Sequence, residues 1–265
     1  MGKPSVLVFP GSFVGPVLGY QPIFDHITRE GYEIKGLHPP SVGIAPKKGR
    51  DGPAPNMFED AALIAKEVEI LADQGKDVIV IGHSYGGVPV TQSPKGLSKK
   101  ERKAQGKSGG IVRLAYITSL VPALGQSAVD VLSQGPKENQ VNIVPDENGW
   151  MLHEDPASTA RICLNNISLE AGTAIVNQFP RHSFPSFNDK TTYAGYQDIP
   201  VSYLFCEEDL CIPTFVQQSG IDEMERVSGR KVDVTRIQAD HCPNWTAKQW
   251  VVDWILSVIK KSEEN

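Results

Sequence analysis

A four-residue apolar run, Val78-Ile-Val-Ile81, ends directly in Gly-His-Ser-Tyr-Gly-Gly at 82–87. A short β-branched run of that kind reads as a buried strand, and a serine with glycines two residues to either side reads as a sharp turn into a helix. Residues without side chains are what such a turn needs if its central residue is held in a strained conformation with Oγ exposed. The junction therefore predicts a nucleophile elbow with Ser84 at its tip.

Similar apolar runs recur at Ser5–Phe9, Glu33–Leu37, Val112–Ile117, Val201–Phe205 and Val232–Ile237. Between them lie longer stretches that read as helices, at Tyr20–Arg29, Phe58–Asp73, Tyr85–Gln92, Pro213–Ser228 and Thr246–Lys260. Strands alternating with helices predict an α/β fold, with a mostly parallel central sheet of about six strands and helices on both faces. In the second helix Ala61, Ile64, Ala65, Val68 and Leu71 share one face, which would dock on the sheet.

Two segments break the alternation. Ser93 to Ser108 carries Lys95, Lys99, Lys100, Arg102, Lys103 and Lys107 without apolar periodicity, and reads as a solvated loop or helix extension. Val121 to Tyr196 has no clear strand, yet it is too long for a structureless loop in a compact domain. It is expected to form a helical cap inserted between Val112–Ile117 and the next core strand. The core would then comprise 1–120 and 197–265, and the cap 121–196.

A chain of 265 residues, 40% hydrophobic and 22% charged, can bury one full core. Its net charge of -5 offers no basic field for a phosphate backbone, so nucleic acid is not an expected partner; a small neutral or weakly polar molecule suits it better. There is neither the apolar stretch of a secretion signal nor a run of membrane-spanning length. The expectation is a cytoplasmic protein without a membrane partner, monomeric or homodimeric. Val6 stands where a myristoylation pattern wants Ser or Thr, and the sequons at Asn166 and Asn244 read as chance matches. Cys163, Cys206, Cys211 and Cys242 show no C-x-x-C spacing and read as reduced thiols. The six histidines lack metal-binding spacing, so neither a metal nor a cofactor is predicted.

A serine hydroxyl is a weak nucleophile until a base takes its proton, and the base needs an acid to fix its tautomer. In sheets of this kind catalytic groups gather at the carboxyl ends of strands. There the chain places Cys206-Glu-Glu-Asp209 and Gln238-Ala-Asp-His241. His241 is the candidate base. Asp209 is the candidate acid, because Asp209-Leu-Cys-Ile-Pro213 leads into a helix and leaves the carboxylate at a loop tip. Glu207, Glu208 and Asp240 read as solvated neighbours. The order Ser84, Asp209, His241 is the one expected with an elbow. Oxyanion donors are expected from the Tyr85 backbone and from Ser12 or Phe13, in the loop where Gly11 permits close approach.

From about Ser5 to Lys260 the chain resembles the α/β-hydrolase superfamily, through Gly-His-Ser-Tyr-Gly-Gly at 82–87, Asp209-Leu-Cys-Ile-Pro213 and His241 before the final helix. It is most similar to small esterases of the plant methylesterase and hydroxynitrile lyase group and related microbial hydrolases. The resemblance implies that Ser5–Phe9 is the third strand of the full family sheet, with the leading hairpin missing or reduced. The lyases of that group tend to carry lysine after the catalytic histidine and threonine at the first oxyanion-loop position. Here those positions hold Cys242 and Gly11, which favours hydrolysis. Many relatives have His-Gly where this chain has Pro10-Gly11.

The reading is a cofactor-independent serine hydrolase acting on an ester or lactone of a small, largely apolar molecule, with an aromatic or polyketide-like skeleton suggested by the cap. The alternatives are lyase or elimination chemistry on the same triad, and a non-catalytic binding protein on the same fold. Phe13, Trp150, Met151, Phe179, Phe184 and Phe187 are candidates for an apolar lining, with His153, His182 and Asn165 as polar contacts. Cys242, beside the base, suggests sensitivity to thiol reagents.

Overall fold

A computed structural model describes residues 2–264. Strand β1 (Ser5–Phe9) leads to helix α1 (Gln21–Arg29), β2 (Ile34–Gly36), α2 (Met57–Asp73) and β3 (Asp77–His83). Beyond the turn at Ser84 come α3 (Gly87–Gln92), α4 (Lys99–Ala104) and β4 (Gly110–Ile117). A long excursion follows, holding α5 (Ala128–Leu132), β5 (Ile143–Pro145), β6 (Trp150–His153), α6 (Pro156–Cys163), α7 (Leu169–Val176), β7 (His182–Ser183) and α8 (Pro185–Asn188). The chain closes with β8 (Val201–Cys206), α9 (Thr214–Ser228), β9 (Asp233–Ile237), α10 (Pro243–Thr246) and α11 (Lys248–Glu263).

Six strands form one parallel sheet in the order β2-β1-β3-β4-β8-β9. The chain runs outward from β1 to β2 and then returns to the other side of β1, so the direction of winding reverses between β1 and β3. Ligands of open α/β sheets bind beyond the carboxyl ends of the strands at such a reversal. Phe9 at the end of β1 pairs with Gly82 in β3, which sets the loop at Gly11 beside the turn at Ser84.

The apolar runs that predict the strands are buried: Val78 to Ile81 are inaccessible, and β1 and β8 are buried throughout. Helix α2 docks through Ala61, Ile64 and Val68, as its periodicity predicts, and starts at a capping box between Asn56 and Glu59. Asp60 belongs to the same buried face.

The basic segment departs from a solvated face. Ser98 and Glu101 cap α4, and Arg102 is buried, donating to Asp73 at 2.6 Å and to the Ser108 carbonyl. An arginine stem is apolar enough to pack while its head finds partners, and here it fastens α4 to the end of α2.

The excursion between β4 and β8 contains the expected short helices and also an antiparallel sheet, β5-β6-β7. Strands of two to four residues cannot display a period of two, and Pro145 ends one of them. The loop 37–56 joins this layer, through a bridge between Val42 and His182 and through the Ala54 N–H, which donates to the Asn148 carbonyl at 2.9 Å. Among the described residues no helix is long and apolar enough to cross a membrane.

Candidate active site

Ser84 follows β3 with φ +55°, a left-handed conformation that side chains resist. The surrounding glycines explain how the chain holds it there. A Cβ on Gly82 would lie 2.7 Å from the Gly86 carbonyl oxygen, and one on Gly86 would lie 2.6 Å from the carbonyl oxygens of Phe9 and Pro10. The turn closes only because both are absent. Phe13 (φ +60°) and Thr118 (φ +33°) are also left-handed, so three of the four such non-glycine residues among those described surround this site. Strain of this kind persists where neighbouring contacts over-determine it.

The loops after β8 and β9 bring the predicted base and acid to the serine. The Ser84 hydroxyl donates to His241 Nε2 at 2.8 Å, and His241 Nδ1 donates to Asp209 Oδ2 at 2.7 Å. Asp209 also accepts from the Thr118 hydroxyl and, through Oδ1, from the Ile212 N–H at 2.8 Å. Burial alone would lower the His241 pKa, but the Asp209 carboxylate and the Cys211 thiol beside it outweigh burial and hold it well above the ordinary value.

His83 fixes the backbone of the base. Burial pushes its pKa down to about 3, so the ring is neutral and carries one N–H. Nε2 donates to the His241 carbonyl at 2.8 Å, and Nδ1 therefore accepts from the Tyr20 hydroxyl. Asp240 differs from the expected solvated neighbour: it is fully buried and accepts from the N–H groups of Asn166 and Cys242 and from the Thr246 hydroxyl. It shapes the loop around His241 and ties it to the excursion between β4 and β8. Glu207 pairs with Arg236, and Glu208 accepts from Asn166.

The Tyr85 N–H lies in the first turn of the short 3-10 helix Ser84–Gly86, where helical N–H groups have no intrahelical acceptor. The Tyr85 ring anchors that turn by donating its hydroxyl to buried Asp60 at 2.8 Å. Burial raises the Asp60 pKa to about 6. On the opposite loop the Phe13 N–H is directed to His182 Nδ1 at 3.4 Å, whereas Ser12 lines the cavity in front of Ser84. A Cβ on Gly11 would lie 3.2 Å from Ser84 Cβ, so glycine is what lets this loop reach the serine.

A cavity of about 360 Å³ opens over Ser84 and His241, within the range that accommodates small organic ligands. Phe13, Met151, Phe179, Phe184, Phe187 and His153 line it as expected. The other three candidates lie elsewhere. Trp150 is buried against Gly49 and donates to the Gly52 carbonyl, His182 stands behind Phe13, and Asn165 donates to the Glu208 carbonyl. Leu132 and Ile143 are further apolar lining that the sequence did not single out. Cys242 is also on the wall, but burial and nearby acidic groups push its thiol well up, which makes it a slow nucleophile at neutral pH. Among the described residues no group of three or more His, Cys, Asp or Glu side chains is arranged to hold a metal ion.

The Alpha/beta hydrolase family model matches residues 23–254. R7, a probable hydrolase of Phoma sp., is 34% identical over 258 residues, covering 97% of this chain and 99% of its own. The alpha/beta hydrolase nvfD of Aspergillus novofumigatus is 27% identical over 264 residues and the match covers 100% of both chains. Among solved structures, a pyrethroid hydrolase from Sphingobium faniae superposes with a TM-score of 0.75 at 17% identity over 99% of each chain. A methylesterase from Arabidopsis gives 0.68 at 15% identity, over 97% of this chain and 99% of its own. At such identities the two structures share the fold.

Proposed function

Because the chain belongs to the α/β-hydrolase family, we propose that it is a serine hydrolase cleaving an ester or lactone of a small, largely apolar molecule. The observation that carries this reading is the continuous hydrogen-bond line from Ser84 through His241 to Asp209 at the floor of an apolar cavity. In this reading Ser84 Oγ attacks the carbonyl carbon while His241 Nε2 takes the hydroxyl proton. Asp209 holds the ring in the required tautomer and stabilises the imidazolium. The Tyr85 and Ser12 N–H groups stabilise the oxyanion, since the Phe13 N–H already faces His182. Collapse of the intermediate passes the proton from His241 to the leaving alcohol, and water then releases the acid from Ser84.

The excursion 121–196, with the loop 37–56 packed on it, acts as the specificity cap over the core. The names of the relatives support hydrolysis in general, and the aromatic lining supports an apolar acyl or alcohol group. The test is turnover of an ester and lactone panel in ¹⁸O-labelled water. One solvent oxygen in each acid product is the expected result, and loss of that turnover in Ser84→Ala accompanies it. Cleavage that leaves no label in the product contradicts hydrolysis and favours a lyase.

A further inference from the structure

Three successive N–H groups pass Ser84 in the loop after β1, and two of them are engaged inside the protein. The Gly11 N–H is directed to the Tyr20 hydroxyl oxygen, and the Phe13 N–H to His182 Nδ1. Ser12 stands between them. Among the described residues neither its N–H nor its hydroxyl has a hydrogen-bond partner, and the hydroxyl oxygen keeps accessible surface. Pro10, Gly11, Phe13 and Val14 are buried, so Ser12 is where this stretch opens, on the wall of the cavity in front of Ser84. A free serine hydroxyl on an outer surface is served by bulk water and calls for no explanation. This one opens into an apolar cavity beside the proposed nucleophile.

The neighbours of Ser12 hold it in place. A Cβ on Gly11 would lie 3.2 Å from Ser84 Cβ, so the residue before Ser12 already rests against the nucleophile. Phe13 follows at φ +60°, with its ring packed on His153 at 4.1 Å between centroids and on His182 at 5.4 Å. A left-handed phenylalanine is strained backbone, which persists where the surroundings over-determine it. With the backbone fixed, the Ser12 side chain has three staggered rotamers, and in two of them Oγ is gauche to its own nitrogen. Both donors of the residue can then meet a single oxygen atom.

We propose that the Ser12 hydroxyl is a catalytic donor, which joins the N–H groups of Ser12 and Tyr85 to make an oxyanion site of three donors. It rests on the serine-hydrolase reading given above. As Ser84 Oγ bonds to the carbonyl carbon, the second electron pair of the C=O bond moves onto oxygen, and the three donors stabilise that charge. Ser12 keeps its proton throughout, and the electron pair returns to the C=O bond when the alcohol leaves. In an apolar cavity such a donor acts on the developing charge with little screening by water.

Ser12→Ala deletes this donor and leaves the backbone N–H, whereas Ser12→Thr returns a hydroxyl. With 4-nitrophenyl butyrate, Ser12→Ala is expected to lower kcat by about 10²-fold with little change in KM, because the contact strengthens only in the transition state. Ser12→Thr should recover most of that loss. The melting temperature should stay where it is in both variants, since the hydroxyl bonds to nothing in the folded chain. An unchanged kcat in Ser12→Ala, a loss confined to KM, or a kcat in Ser12→Thr no higher than in Ser12→Ala overturns the proposal. Phosphonylation of Ser84 by a fluorophosphonate sets the P=O oxygen in the same place and needs no ester. Its rate should fall about tenfold or more in Ser12→Ala and recover in Ser12→Thr; equal rates overturn the proposal. Phosphonylation that depends on Ser12, in a protein that hydrolyses no ester, would uphold the role of Ser12 while removing the hydrolase reading.

Discussion

Ser84 is held at φ +55° with its hydroxyl already donating to His241, so the proposed nucleophile is organised before substrate arrives. Ser84→Ala should reduce turnover of an activated ester by on the order of 10⁴-fold or more, measured by initial rates, with the fold retained by circular dichroism. His241 must be neutral to accept the serine proton, and its neighbours hold its pKa well above the ordinary value. The acid limb of kcat/KM against pH should therefore rise with a midpoint above about 6.5, the ordinary histidine value. The ion pair with Asp209 stabilises the folded chain fully below that ordinary value, and its contribution is lost as pH climbs through the raised one. Asp209→Asn should bring the limb down and reduce kcat by about 10⁴-fold. A limb unchanged in that variant would show that Asp209 does not govern the base. Ser84, Asp209 and His241 were legible in the sequence because each follows an apolar run at a strand's carboxyl end. Tyr20 and Asp60 were not, since their roles depend on partners distant in the chain.

At the level of elements, the turn between β3 and α3 depends on close approach of backbone to backbone. Gly82→Ala would press a methyl against the Gly86 carbonyl oxygen, where nothing flexible can yield. A loss of about 1–3 kcal/mol in urea unfolding is expected, together with a fall in activity from displacement of Ser84. Full stability and activity would refute the packing account of the motif. Arg102 makes a second case. Its guanidinium is buried while its partner Asp73 remains exposed, so Arg102→Ala should cost about 1–3 kcal/mol, through lost packing and an unpaired Ser108 carbonyl, with catalysis untouched. The sequence reading missed this because a run of like charges carries no mark of which member turns inward. Strands and helices of the core were legible from their apolar periods. The small sheet β5-β6-β7 was not, because its strands are shorter than one readable repeat.

Across the whole molecule, burial moves several titrating groups away from their ordinary values. His83 and His182 are depressed to about 3 and His153 to about 4, so below pH 6.5 the unfolded chain takes up protons that the folded chain refuses. These histidines therefore favour the fold above that pH and withdraw their support as pH falls toward their folded values. Asp60 acts oppositely. Its folded pKa of about 6 makes the native state the better proton binder between about pH 4 and 6, so it opposes stability as pH rises through that window. Burial raises Asp240 as it does Asp60, and three histidines against these two carboxyls leave stability sloping downward on acidification near pH 5. Chemical unfolding between pH 4.5 and 6.5 should show that slope, and a flat profile would contradict it.

The excursion between β4 and β8 supplies most of the apolar wall, and the loop 37–56 packs on that excursion. That packing was not legible because loop 37–56 and the excursion are far apart in the chain. The central claim concerns the floor beneath that wall. Treatment with a fluorophosphonate, followed by proteolysis and mass spectrometry, tests it most directly. A single phosphonyl adduct on Ser84, formed in proportion to loss of esterase activity and absent when His241 is replaced by Ala, is the predicted result. An unlabelled Ser84 in protein that remains active, or loss of activity with the adduct on another residue, would contradict it.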